Sequence, residues 1–183
     1  MGIFSKFHFE INDYAYGLNP LLRSQFKIKG KTFVIDLVHP HPSLGEEARG
    51  KFINHVLSNT KSPYILTGDF NAISPEDKYD RKELIQGFSR FEKEPAHVVD
   101  DFLKRKSIEA ILNNELRDSF KEVGKKWHCT VPTNLFSKEK DSGLRIDFIF
   151  CSKEFKINDA GIIVNNLTNK ASDHYPVYAV LEI

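Results

Sequence analysis

Cysteine is scarce in this sequence, and it has neither a membrane-type hydrophobic run nor an excess of charge of one sign. Cys129 and Cys151 form no Cys-x-x-Cys pair and are too few to cross-link 183 residues, so we expect reduced thiols and a cytoplasmic protein. No window approaches the roughly 18 apolar residues of a membrane span, and the N-terminus lacks a secretory signal. The net charge of +1 excludes a global basic field, so contact with nucleic acid would need a local patch.

The length predicts a single domain over residues 1–183, long enough to bury a sizeable core. Strand-type patterns occur at residues 1–11, 26–28, 32–38, 64–67, 145–151, 155–165 and 175–183. Helix-type patterns occur at residues 46–61, 81–91 and 98–116, with Pro95 expected to end the second. We expect a loop at 18–25, a loop or short strand at 127–133, a polar turn at 137–143 and a loop at 169–172. Strand, helix and strand in succession indicate an α/β fold.

The stretch from Tyr64 to Asn71 reads Tyr-Ile-Leu-Thr-Gly-Asp-Phe-Asn. Its apolar part predicts a buried strand that stops at Gly68, where the backbone can turn without a Cβ penalty. Asp69 and Asn71 then emerge at the end of the strand, a place where functional residues collect. Taken alone, the stretch is better explained as a strand followed by an ordinary Asp/Asn turn.

Two later stretches carry similar side chains at the starts of strands. Asp147 lies near the start of the apolar run 145–151, where an unpaired carboxylate would cost several kcal/mol on desolvation. It therefore needs a cation, a metal or hydrogen-bond donors, and a salt bridge to Arg145 is one alternative. Asp173 and His174 directly precede the last strand, where the simpler interpretation is a loop-capping Asp beside an exposed His.

The positions of these residues along their strands predict a common site. His39 and Asp69 follow the carboxyl ends of their strands, whereas Asp147 and the Asp173-His174 pair precede theirs. If the later strands run antiparallel to the earlier ones, or face them from a second sheet, all these groups gather at one edge. Such a pocket suits a hard divalent cation, and Mg²⁺ or Mn²⁺ fits better than zinc because no His-Glu-x-x-His or Cys/His spacing is present.

The three stretches together resemble the successive signatures of the endonuclease/exonuclease/phosphatase superfamily, the deoxyribonuclease I-like group that includes exonuclease III-type nucleases and sphingomyelinases. The matching residues are Gly68-Asp69-Phe70-Asn71, Arg145-Ile146-Asp147-Phe148-Ile149 and Ser172-Asp173-His174-Tyr175-Pro176-Val177. His39 resembles the family histidine that closes a strand upstream. The resemblance implies a two-sheet α/β sandwich with outer helices and metal-dependent hydrolysis of phosphoesters, either nucleic-acid phosphodiesters or a smaller phosphoester.

The same resemblance implies a role for each of these residues. Asp69 would orient or deprotonate the attacking water, and Asn71 would hydrogen-bond the phosphate or that water. His174 would contact the scissile phosphate while Asp147 holds its ring and favours the imidazolium form. His39 would be a second donor to the phosphate or would assist the leaving group. Asp173 would lie in or next to the metal shell.

The sequence departs from the family at its start. Members begin with a strand bearing Asn and a second strand bearing a metal-binding Glu, and no matching position precedes the stretch 2–6. We therefore expect an N-terminally incomplete version of the fold, with three interpretations: a complementing segment or separate chain, a misassigned start, or a decayed remnant. The leading functional hypothesis is a metal-dependent nuclease. The alternatives are a phosphatase or lipid-headgroup phosphodiesterase, and a catalytically inactive binding protein on the same fold.

Overall fold

The computed structural model describes residues 1–15, 18–136 and 142–183. Eight strands and six helices occur among these residues. The strands are β1 Phe9–Ala15, β2 Leu21–Ile28, β3 Lys31–Val38, β4 Tyr64–Asp69, β5 Arg117–Asp118, β6 Asp147–Cys151, β7 Lys156–Ile162 and β8 Val177–Glu182. The helices are α1 Glu46–Ser58, α2 Arg81–Phe88, α3 Pro95–Phe102, α4 Lys106–Asn113, α5 Ser119–Glu122 and α6 Thr168–Ala171.

Two sheets and a helical layer form an α/β sandwich, which confirms the fold class. Six strands form one sheet in the order β1-β2-β3-β4-β6-β5, and β7 pairs with β8 in a second, smaller sheet. Only the β3–β4 contact is parallel among the pairings described, and α1 is the connection between these two strands. One apolar core joins the large sheet to α1 and α4, and a second lies between the two sheets.

The hairpin of β2 and β3 forms as predicted, but β2 is longer than expected. Lys29 and Gly30 occupy the turn with φ of 50° and 81°, as a two-residue hairpin turn requires. The predicted loop at 18–25 is wrong, because β2 begins at Leu21 and pairs with both β1 and β3. The charged Arg23 interrupts the apolar pattern, so the sequence did not indicate this strand. In the structure Arg23 forms an ion pair at 2.6 Å with Asp36, which lies directly opposite on β3.

Three other boundaries differ from the prediction. The first strand runs from Phe9 rather than from residue 1, because only residues 9–15 lie opposite β2. The predicted helix at 98–116 divides into α3 and α4, since Arg105 adopts a left-handed φ of 55°. Pro95 begins α3 instead of ending the preceding helix, a position that proline favours because its missing N–H costs nothing there.

The remaining segments follow the prediction in part. Residues 127–133 contain one isolated bridge, between Val131 and Leu144, and α6 replaces most of the loop expected at 169–172. Of the predicted turn at 137–143, residues 137–141 lie outside the described residues. Cys129 and Cys151 are both free thiols. Within the described ranges, no helix has the length and apolar character needed to cross a membrane.

Phe70 belongs to the core between the large sheet and helices α1 and α4, and it directly follows the end of β4. Its fully buried ring makes edge contacts with Phe148 at 5.7 Å and Phe150 at 5.6 Å between ring centroids. We predict that Phe70→Ala lowers the free energy of unfolding by about 3–5 kcal/mol, because it leaves a cavity against two strands. Urea denaturation measures the loss. Phe4→Ala is the matched control, since Phe4 is 99% exposed, and a comparable loss in that variant would contradict the assignment.

Candidate active site

The pairing of the central strands brings the predicted residues to one edge of the large sheet. β4 and β6 are antiparallel, and Asp69 at the end of β4 lies directly opposite Asp147 at the start of β6. β3 is parallel to β4 with Val38 opposite Gly68, so His39 follows beside Asp69. His174 reaches the same edge from the segment that precedes β8, because its ring contacts Asp147.

Gly68 allows this edge to form. Its φ of +139° is accessible to glycine but strained for residues with a side chain. A Cβ at this position would lie 1.9 Å from the carbonyl oxygen of Val38, which is far inside van der Waals contact. The strand can therefore approach β3 closely and then place Asp69 only if residue 68 is glycine.

His174 and Asp147 form a hydrogen-bonded pair. The Nδ1 atom of His174 lies 2.9 Å from Asp147 Oδ2, and both side chains are partly exposed. The alternative salt bridge between Asp147 and Arg145 is not what the structure contains. Arg145 is buried and pairs instead with Asp77 at 2.8 Å and Asp118 at 2.7 Å.

Asp69 is held by its neighbours along the chain. The backbone N–H of Asn71, which has a left-handed φ of 46°, donates to Asp69 Oδ1 at 2.8 Å. The Asn71 carboxamide donates to the carbonyl of Pro40 at 2.9 Å and so ties the β3 end to the β4 end. His39 lies beside them with Nε2 at 3.4 Å from Asp69 Oδ2, and its side chain is 49% exposed.

The side chains of Asp69, Asp147 and His174 form what we call the rim cluster, with ligand atoms that all lie within 4.8 Å of one another. Asp173 is not among these three residues, although it precedes His174. Its carboxylate is exposed and accepts a hydrogen bond from Ser172 Oγ at 3.1 Å. The expected role of Asp173 as a metal ligand therefore stays a prediction.

The electrostatics of the rim cluster follow from burial and from its two carboxylates. Burial raises the pKa of Asp69, and the charge of Asp147 raises it further, against the Asn71 N–H and the two histidines. The hydrogen bond to Asp147 raises the pKa of His174 despite the opposing effect of burial. The rim cluster thus favours the imidazolium form of His174, while the Asp69 carboxyl has a raised pKa and holds a proton more readily than usual.

The donor set of the rim cluster fits a divalent cation. Two carboxylates supply hard oxygen donors, the kind that Mg²⁺ and Mn²⁺ prefer. The repulsion between Asp69 and Asp147 is a cost that a cation close to both would relieve. Because Nδ1 of His174 already contacts Asp147, the two aspartates are the better candidates for holding the ion.

Two threonines that we did not single out from the sequence support the site. Thr130 Oγ1 accepts hydrogen bonds from the backbone N–H of Ile146 at 3.0 Å and of Asp147 at 3.3 Å. Thr133 contacts the loop that carries His174, with its hydroxyl donating to the Ser172 carbonyl at 2.6 Å. The only sequence signal is the pair of small hydroxyl residues around Val-Pro in a non-helical stretch, which is too common to be specific.

The layered α/β fold with an Asp–His pair beside a second aspartate at one sheet edge is that of the deoxyribonuclease I-like class. A model of the endonuclease/exonuclease/phosphatase family matches residues 1–174, and the chain belongs to this family. Members of the family are metal-dependent hydrolases that act on phosphoesters. Among curated proteins, no sequence matches this chain.

Several solved structures share the fold at low sequence identity. An endonuclease/exonuclease/phosphatase from Bacteroides vulgatus is 20% identical with a TM-score of 0.68, over 96% of this chain and 66% of that one. A mannosyl-6-phosphatase from Bacteroides thetaiotaomicron is 21% identical with a TM-score of 0.59, over 96% and 67%. TDP2 from D. rerio, in complex with a single-strand DNA product, is 17% identical with a TM-score of 0.57, over 96% and 67%. The chain thus spans about two thirds of the length of these structures.

We predict that Gly68→Ala destabilises the protein by about 3 kcal/mol or more, because the new methyl group forces β3 and β4 apart. Denaturant unfolding measures the effect. Gly124→Ala is the matched control: its φ of +62° is also left-handed, but an added Cβ meets nothing within 4 Å. Equal losses in the two variants would show that backbone conformation, rather than the contact with Val38, dictates glycine at position 68.

We predict that Asp147→Asn lowers the pKa of His174, because the hydrogen bond to Asp147 is the largest cause of its elevation. NMR titration of the imidazole in the metal-free protein measures the shift. Asp173→Asn is the control and should lower the pKa less, since Asp173 acts only through its charge and contributes least. Equal shifts in both variants would contradict the assigned pairing.

The pairing of His174 with Asp147 also makes the stability of the protein depend on pH. Folding raises the pKa of His174 above 6.5. The contribution of the His174–Asp147 hydrogen bond to the free energy of unfolding is therefore complete below pH 6.5, and it is lost as the pH rises through the pKa of the folded state. The difference in unfolding free energy between wild type and Asp147→Asn should therefore shrink over that pH range.

Proposed function

We propose that this chain hydrolyses phosphodiesters of nucleic acid, by attack of a water molecule that Asp69 orients. The observation that carries the proposal is the 2.9 Å contact of His174 with Asp147 beside Asp69, all within one rim cluster. This arrangement supports the proposal, because hydrolysis of a phosphoester calls for a proton acceptor and a cationic donor at a single location.

Asp69 is the residue that accepts the proton of the attacking water. A general base is most effective when its pKa lies towards the working pH, and both burial and Asp147 move the pKa of Asp69 in that direction. The N–H of Asn71 fixes one carboxylate oxygen at 2.8 Å, and the other oxygen, which lies 3.4 Å from His39 Nε2, orients the water.

His174 stabilises the negative charge that develops on the phosphate. With Nδ1 engaged by Asp147, its Nε2 N–H is the donor directed at substrate. The elevated pKa keeps the ring in the imidazolium form to a higher pH than a free histidine. In this role Asp147 positions the His174 ring through its Oδ2 atom.

His39 and Asn71 have supporting roles in the proposal. His39 is half exposed at the mouth of the site, where it can donate to the phosphate or to the leaving oxygen. Asn71 is buried and its carboxamide is occupied by the Pro40 carbonyl, so its main contribution is to hold His39 and Asp69 together.

A divalent cation, Mg²⁺ or Mn²⁺, would be held by Asp69 and Asp147, with Asp173 next to it. When bound, it supplies positive charge that offsets the charge of the phosphate and of the departing oxygen. The carboxylate donors favour these two ions over softer metals.

The openness of the site favours a phosphate inside a longer chain. The His39 side chain is 49% exposed and that of His174 28%, so a phosphate flanked on both sides could reach the rim cluster. The single-strand DNA product in the D. rerio TDP2 complex supports nucleic acid, whereas the similar mannosyl-6-phosphatase supports a phosphomonoester as the second candidate. Arg81 is paired with Asp100, so the exposed Lys78 and Lys82 are better placed to contact a phosphate backbone.

We predict that Asp69→Asn and His174→Ala each reduce turnover by about 10²–10⁴-fold while the fold stays intact. The assay measures Mg²⁺-dependent cleavage of abasic duplex DNA, single-stranded DNA, a generic phosphodiester and a sugar phosphate. Loss of activity should be accompanied by an unchanged far-UV circular dichroism spectrum.

Asp13→Asn and His55→Ala are the matched controls, since both side chains are exposed and neither belongs to the rim cluster. They should retain wild-type turnover. Cleavage of the sugar phosphate alone would replace the nuclease proposal by the phosphatase. No cleavage of any substrate, with or without Mg²⁺, would support an inactive binding protein instead.

A further inference from the structure

A buried ion pair lies at the start of α1, outside the rim cluster. Glu46 is fully buried and Arg49 is 1% exposed, and Arg49 Nε lies 2.9 Å from Glu46 Oε1. The Glu46 carboxylate also accepts a hydrogen bond from the backbone N–H of Ser107 at 3.0 Å and another from its hydroxyl at 2.9 Å. Because buried ion pairs add little net stability, this pair is better explained by the groups that it holds in place.

The segment between β3 and α1, residues 39–45, is held by groups outside it. It begins His-Pro-His-Pro, and the two prolines have no backbone N–H, so the segment cannot pair as a strand. The Arg49 guanidinium donates through Nη1 to the carbonyl of Leu44 and, at 3.4 Å, to that of Pro42. Glu46 fixes the Nε side of the same planar group and so directs its Nη1 end to these two carbonyls.

The same segment reaches the candidate active site at its other end. The Asn71 carboxamide donates to the carbonyl of Pro40 at 2.9 Å. His39, the first residue of the segment, has its Nε2 at 3.4 Å from Asp69 Oδ2. Since the His39 side chain is 49% exposed, packing restrains its ring little, and the path of the backbone decides where the imidazole lies.

We propose that Arg49 is a positioning residue for the hydrolysis: its guanidinium, aligned by Glu46, holds the 39–45 segment so that the His39 imidazole reaches the phosphate. Arg49 is buried and acts only through this segment. The inference rests on the proposed function for the role of His39 as a donor, whereas the hold on the segment does not depend on it. A network that served stability alone would leave the turnover of folded protein unchanged when it is removed.

Arg49→Met tests the proposal, because methionine keeps much of the apolar side chain and removes every donor. The assay measures kcat for the DNA substrate that the wild type cleaves faster, abasic duplex or single-stranded, on protein shown to be folded by far-UV circular dichroism. The kcat should fall by about 10- to 100-fold, since a small displacement of a group that acts in the transition state has an effect of this size.

Arg23→Met is the matched control. Arg23 also pairs with a buried aspartate, Asp36, and donates to a backbone carbonyl, but that carbonyl belongs to Asn59 after the end of α1. This variant should lose stability and keep the wild-type kcat. Should Arg49→Met fail to fold, Glu46→Gln/Arg49→Met replaces it, because the double variant leaves no member of the pair charged and buried. The same fall in kcat is expected.

A double-mutant cycle with His39→Ala separates positioning from a purely structural role. If Arg49 acts through His39, Arg49→Met should lower kcat by less than about twofold once residue 39 is already alanine. Equal losses of kcat in the two backgrounds would overturn the proposal. So would an unchanged kcat in Arg49→Met, or the same loss in Arg23→Met.

Hydrogen exchange tests the hold on the segment without any turnover. The N–H of His41 donates to the Leu18 carbonyl at 2.8 Å. In Arg49→Met this amide should exchange about tenfold faster, while the amide of Ile35 within β3 should change little. Equal acceleration at both amides would indicate general destabilisation and overturn the proposal. If the wild type cleaves no substrate, the proposed function fails, and selective acceleration at His41 still supports the hold of Arg49 on the segment.

Discussion

The antiparallel pairing of β4 with β6 is the constraint on which the site depends. It places Asp69 opposite Asp147, an arrangement of like charges that a sheet normally avoids. The register is held from within: Thr67 Oγ1 donates to the Phe148 carbonyl at 2.9 Å, and the Phe70 N–H donates to the Ile146 carbonyl at 2.8 Å. A slip by one residue would send one carboxylate to the opposite face of the sheet.

A buried ion pair network supports the start of β6. Arg145 is 2% exposed and pairs with Asp77 and Asp118, which come from two separate segments of the chain. Buried ion pairs contribute little net stability, but removal of one partner leaves an uncompensated charge. The main effect of the network is therefore to fix the position of the residues before Asp147, and its net contribution to the free energy of folding is small.

The sequence predicted structure best where the preference of the local residues matches the final fold. The hairpin turn at Lys29-Gly30 and the convergence of Asp69, Asp147 and His174 could be predicted, because turn residues and strand ends have direct sequence signals. The extent of β2 could not, since Arg23 is a polar residue whose partner, Asp36, is known only once the ladder exists. The partners of Arg145 lie 68 and 27 positions away in sequence, so adjacency suggested Asp147 instead. The support from Thr130 and Thr133 depends on a fold-specific approach of two loops.

The composition of β8 has a consequence for handling the protein. From Val177 to Leu181 the chain is Val-Tyr-Ala-Val-Leu, rich in β-forming side chains and with neither a charge nor a proline before Glu182. Natural edge strands usually carry a lysine or another gatekeeper that discourages self-association, and this one has none in that stretch. At high concentration, the isolated chain should therefore tend towards intermolecular β-aggregation that begins at its C-terminal strand.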